Sequence, residues 1–136
     1  MKISVATLLA VIAGAAMGCG GSSSGGPTGP TAPPPAANTP PVATTTITIT
    51  AAGVNPKRIV VAPGSRVTFV NNDTRPHEMH SDPHPNHGDC PAIDDVGFLA
   101  PGQSKQTGNL TVVRTCGYHD HALPDVVALQ GEIVVQ

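Results

Sequence analysis

The residues of this 136-residue chain that could do chemistry are grouped. All six histidines fall in two stretches, His77 to His87 and His119 to His121, and the second begins three residues after Cys116. Neutral imidazole and thiolate are the side chains that suit copper and zinc, so the grouping points to ligands that folding brings around a metal ion. His119 and His121 are two residues apart, and on an extended backbone such a pair points the same way.

The elements that must position these residues read as strands. Thr46-Ile47-Thr48-Ile49-Thr50 alternates apolar and polar with β-branched residues throughout, the pattern of a half-buried strand whose Ile47 and Ile49 face a core. A turn-like Gly53-Val54-Asn55-Pro56 follows, then strand-like Arg58 to Val61, the turn pair Pro63-Gly64, and a strand over Arg66 to Val70. Leu110 to Val113 and Gly131 to Val135 carry the same β signal, and no window shows a helical period. The expected architecture is all-β, an antiparallel Greek-key β-sandwich. Ser81 to Gly102, with four prolines, is too long for a simple hairpin loop, and loops of that length are usually functional or disordered.

The N-terminal third has a different character. Lys2 and an apolar run from Ile3 to Met17 read as a secretory signal over residues 1–18, too short and too rich in small residues for the roughly 20-residue span of a membrane helix. Ala16-Met17-Gly18-Cys19 resembles a bacterial lipobox, with Ala16 where Leu is usual. The resemblance implies lipidation of Cys19, a membrane partner through that lipid, and an exported, lipid-anchored place in the cell envelope, on its periplasmic or surface side. Residues 19–44 are almost wholly Gly, Ser, Pro, Thr and Ala and cannot bury enough surface to fold, so they are expected to form a disordered tether. One domain remains, residues 45–136, long enough for one modest core. A formal net charge of −2 gives no basic footprint, which argues against nucleic acid as a partner.

The order of a strand, Asn71-Asn72-Asp73, Pro76-His77, a late Cys116-Gly117-Tyr118-His119, and a closing Leu129 to Val135 resembles the cupredoxins, particularly plastocyanin and amicyanin. The resemblance covers the domain from Thr45 onward. It implies a cupredoxin-like sandwich, a copper cofactor, a redox protein as partner, and electron transfer or copper handling rather than enzymatic turnover. Carried onto this chain, it makes His77, Cys116 and His119 the trigonal copper ligands, and His121 is a further donor by its place beside His119 rather than by the resemblance. Leu129 stands where these proteins place an axial Met, and the loop from His119 to Leu129 is longer than theirs.

A second ligand set stays open. Cys90 and Cys116 are the two cysteines of the exported domain, and in an oxidising compartment they can pair as a disulfide. Cys116 would then carry no thiolate. The site would instead be His77, His119 and His121 with help from His84 or His87, a nitrogen-ligated copper(II) or zinc centre. His80, His84 and His87 also fit a plain solvated loop, and Asp73, Asp82, Asp89 and Asp120 fit either acceptors that orient imidazoles or caps of turns. A superoxide dismutase-like enzyme ranks lower: His119-Asp120-His121 and His87-Gly88-Asp89 are similar to parts of its pattern, but there the His-x-His pair comes early in the chain. A metal-free surface-binding module is the remaining alternative.

Overall fold

The computed structural model describes residues 39–136. The expected signal over residues 1–18, the lipidation site Cys19, and the tether up to residue 38 lie outside the described residues. Ten strands follow: β1 (Val42–Ala43), β2 (Thr46–Thr50), β3 (Gly53–Asn55), β4 (Arg58–Val61), β5 (Thr68–Asn71), β6 (His77–Ser81), β7 (Gly97–Leu99), β8 (Ser104–Gln106), β9 (Arg114–Asp120) and β10 (Gly131–Val135). Short 3₁₀ turns occupy Pro91–Ile93 and Val127–Leu129. No helix of the described residues is long and apolar enough to cross a membrane.

The strands form two sheets, one ordered β1-β4-β10-β9-β6-β7 and the other β3-β2-β5-β8. The all-β sandwich expected from the periodicity is present. Its pairing is mixed: β4 runs parallel to β1 and to β10, and β2 runs parallel to β5. The reason is topological. Between β2 and β5 the chain crosses to the six-stranded sheet to form β4, so strands that meet in space are separated in sequence and re-enter in the same direction.

Alternation decides which side chains are interior. Ile47, Ile49, Ile59, Phe69, Met79, Leu99, Tyr118 and Ile133 are wholly buried between the sheets, and each full burial of a large apolar side chain stabilises by about 1.5–3 kcal/mol. Phe69 and Tyr118, one from each sheet, meet edge to face with ring centroids 5.1 Å apart. Gly131 lies opposite Tyr118 in the ladder, and a Cβ there would collide with the phenol oxygen and with Lys57 O, so only glycine lets the ring lie flat over β10.

Three local expectations change. Val42 and Ala43, placed in the tether by composition, pair with β4. Gly53 to Asn55, read as a turn, is strand β3 against β2. Leu110 to Val113, read as a strand, supplies only a single bridge from Leu110 to Ser65, while Val112 and Val113 are exposed and β9 starts at Arg114. A β-branched run becomes a strand only where a neighbouring edge accepts its hydrogen bonds.

Candidate metal centre

Strands β6 and β9 are adjacent and antiparallel, with His80 directly opposite His119 and Met79 opposite Asp120. Along each strand, successive side chains take opposite faces. On β9, Cys116 and Tyr118 point into the core with Asp120, while Gly117 and His119 take the outer face of the sheet, and His121 continues that series. On β6, His77, Met79 and Ser81 are buried on the core side and His80 faces out. The segment after β6, from Asp82 to Cys90, folds back across the outer face: Asp82 N donates to Gly117 O at 3.0 Å and Asp89 N to Asp82 O at 2.9 Å.

This return places His84 and His87 over His119 and His121. The candidate ligand atoms of these four imidazoles all lie within 4.8 Å of one another. His87 Nε2 and His121 Nδ1 are 3.1 Å apart. Two nitrogens bound to one ion at about 2.0 Å each, at an angle of about 90–110°, are separated by about 2.8–3.3 Å, so this pair already fits a shared ion. Any separation in the group wider than that would close by small ring rotations on binding.

His119 carries the strongest evidence. Its Nδ1 lies 2.6 Å from Asp82 Oδ1, and since a carboxylate only accepts, the ring proton is on Nδ1. Nε2 therefore presents a lone pair, and it is buried without a hydrogen-bond partner. A carboxylate holding one ring nitrogen while the other is free to ligate is the usual arrangement of a metal-binding histidine. Gly117 makes room for it: a Cβ at this position would strike the Asp82 carboxylate, so glycine lets Asp82 lie against β9 and reach His119. His87 has a positive φ of 51°, a conformation that residues other than glycine seldom adopt. Its pKa is lowered first by burial and then by the neighbouring His80, His119 and His121, against an opposing pull from Asp94. Both causes favour the neutral imidazole that a metal needs.

The expected ligands divide accordingly. His119 and His121 come together, joined by His84 and His87. Cys116 does not join them: it is bonded to Cys90, with Cα atoms 5.8 Å apart. Two constraints oppose the trigonal assignment. The bonded sulfur is no thiolate, and three residues along a strand put Cys116 and His119 on opposite faces. His77 is also displaced from the expected set. It is buried on the core side, with Nδ1 2.7 Å from Asp120 Oδ2 and Nε2 3.2 Å from Asp73 Oδ2, so carboxylates occupy both of its nitrogens. Met79 and Leu129 are core residues.

The disulfide has a positioning role. Cys90 ends the returning segment and Cys116 lies in β9, so the bond clamps the loop bearing His84 and His87 onto the strand bearing His119. Closing a loop across this sequence separation of 26 stabilises by about 3.5 kcal/mol in the chain-entropy model.

No protein-family model matches the chain, and no curated protein matches it. Among solved structures the domain is similar to a purple cupredoxin from Nitrosopumilus maritimus, at 18% identity over 68% of this chain and 100% of that one, with a TM-score of 0.53. It is similar to an oxidized methionine-to-leucine mutant of amicyanin, at 20% identity over 67% of this chain and 80% of that one, TM-score 0.54. Plastocyanin from Dryopteris crassirhizoma, in its oxidized form, matches at 15% identity over 67% and 99%, TM-score 0.52. At these identities the likeness establishes the fold, and the domain is a cupredoxin-like β-sandwich.

Proposed function

We propose that this protein binds copper(II) through His84, His87, His119 and His121 and serves in copper handling at the cell envelope. The observation that carries the reading is the buried, unpartnered Nε2 of His119, with Asp82 holding its other nitrogen and three further imidazoles beside it. One fold neighbour, a methionine-to-glutamine mutant of amicyanin, is described with Cu(I), which favours copper over zinc. Handling is favoured over electron transfer because an all-imidazole set lacks the soft thiolate that accommodates copper(I), so one oxidation state is preferred over ready cycling. Export and lipid anchoring at Cys19 rest on the sequence, and a disulfide in the domain agrees with an oxidising compartment. The site binds and holds an ion and is read as non-catalytic. Any partner is a protein that supplies or receives copper.

The test is titration of the full chain with copper(II), followed by visible absorption, electron paramagnetic resonance and a thiol count. The expected result is tight binding with a pale colour, the wide hyperfine splitting of nitrogen-ligated copper(II), and unreactive Cys90 and Cys116. An intense blue band with a titratable thiol would restore the trigonal site. A preference for zinc would change the metal, and failure to bind either ion would end the proposal.

A further inference from the structure

His80 lies outside the four-histidine group, and its surroundings are those of a ligand. Its ring stacks on His87 at 4.4 Å between centroids and stands 5.2 Å from that of His121. Its Nε2 has a hydrogen-bond partner in Glu78 Oε1 at 3.4 Å, whereas its Nδ1 makes no hydrogen bond and stands 3.3 Å from Asp94 Oδ1, so that, unlike His77, it keeps one nitrogen for an ion. His80, His87 and Asp94 offer ligand atoms that all lie within 4.8 Å of one another, and all three residues are half-buried. Three separate pieces of chain supply them: β6, the returning loop, and the residue that follows the 3₁₀ turn at Pro91–Ile93.

We propose that His80, His87 and Asp94 form a second position for a divalent transition ion, contiguous with the four-histidine centre and sharing His87 with it. Two imidazoles and one carboxylate make a donor set of borderline hardness that accepts copper(II) or zinc but holds it less tightly than four imidazoles. Filling both positions at once would use both ring nitrogens of His87, with its ring proton released to solvent. Asp94 is pre-oriented, because Ser81 N donates to its Oδ1 at 2.8 Å. The two positions adjoin through the His87 ring, which suits a protein that takes up and passes on metal. The inference rests on the copper reading only through His87, and its test separates the two.

The experiment is calorimetric titration of the full chain with copper(II) alone, with paramagnetic resonance at each equivalent. The wild type is expected to bind a second equivalent more weakly than the first. His80→Ala and Asp94→Asn are each expected to lose that second step and keep the first; the asparagine retains an acceptor for Ser81, and thermal melts establish that both variants fold. A double variant, His119→Ala with His121→Ala, dismantles the first centre and is expected to keep one equivalent bound at the second. If the wild type takes no copper at the four-histidine centre but the double variant binds one equivalent, the second position stands and the first falls. A wild type that stops at one equivalent overturns the second position, as does a second step indifferent to both His80→Ala and Asp94→Asn.

Discussion

His77 and His119 are equally buried, each about 2% exposed, and each has a ring nitrogen against a carboxylate. They nevertheless lie on opposite faces of one pair of strands. On the core side, His77 has Asp120 on one nitrogen and Asp73 on the other, and those carboxylates are themselves held: Ala122 N donates to Asp120 Oδ1 and Thr74 N to Asp73 Oδ1. That network is closed. On the outer side, His119 has one nitrogen satisfied and the other open, facing three more imidazoles. Burial makes a histidine costly to leave unpaired, and what distinguishes a ligand from a structural residue is the atom left over.

The comparison is broken most directly by removing each ring in turn. His77→Ala strands two buried carboxylates and is expected to cost about 3–5 kcal/mol of stability in denaturant melts. Copper affinity of the folded fraction should stay as in the wild type. His119→Ala is expected to do the reverse, leaving the metal-free stability nearly intact while weakening copper(II) binding on the order of a hundredfold. If both variants weaken copper equally at matched folded fraction, the distinction between the two faces is wrong.

A smaller effect tests how the open nitrogen is aimed. Gly117→Ala pushes the Asp82 carboxylate off β9 and releases His119 Nδ1, with an expected loss of about tenfold in copper affinity. Asp82→Asn should reproduce it, with altered hyperfine parameters in both variants. Unchanged affinity in Gly117→Ala would mean that the ring is held by packing alone.

The smallest effect concerns the closed side and pH. Burial raises the Asp73 pKa, but hydrogen bonds from Thr74 N and His77 and the charge of Arg75 outweigh it, so the carboxyl lies below its ordinary 3.8. A depressed carboxyl contributes stability above the unfolded-state pKa and loses it as pH falls through the folded one. Asp73→Asn is therefore expected to lower the Tm at neutral pH and to flatten its decline in acid below the ordinary value. An acid limb as steep as the wild type's would remove Asp73 from the network.

The sandwich was largely legible because Ile47, Ile49, Ile59 and Ile133 advertise their faces by alternation. Strand β6 was not: His77-Glu78-Met79-His80-Ser81 buries a histidine and a serine, so its inner face carries no apolar pattern. Resemblance placed His77 at a ligand position, and nothing local announced the Asp120 and Asp73 carboxylates that meet its two nitrogens. That His119 and His121 come together was readable from their two-residue spacing. His84 and His87 were not, because nothing local says that their loop turns back. The signal lay in the cysteines: His87 is three residues before Cys90 and His119 three after Cys116, so a bond between those cysteines brings the two histidines together.

The clamp between Cys90 and Cys116 also orders events in time. The apolar core contains none of the four imidazoles, and the sulfur bond holds their loop on the sheet together with the hydrogen bonds from Asp82 to Gly117 and His119. On the proposed copper reading, oxidation therefore precedes capture of the ion. On that reading the molecule is complete while still empty, and scarcity of metal leaves ready acceptors in place of unfolded chains.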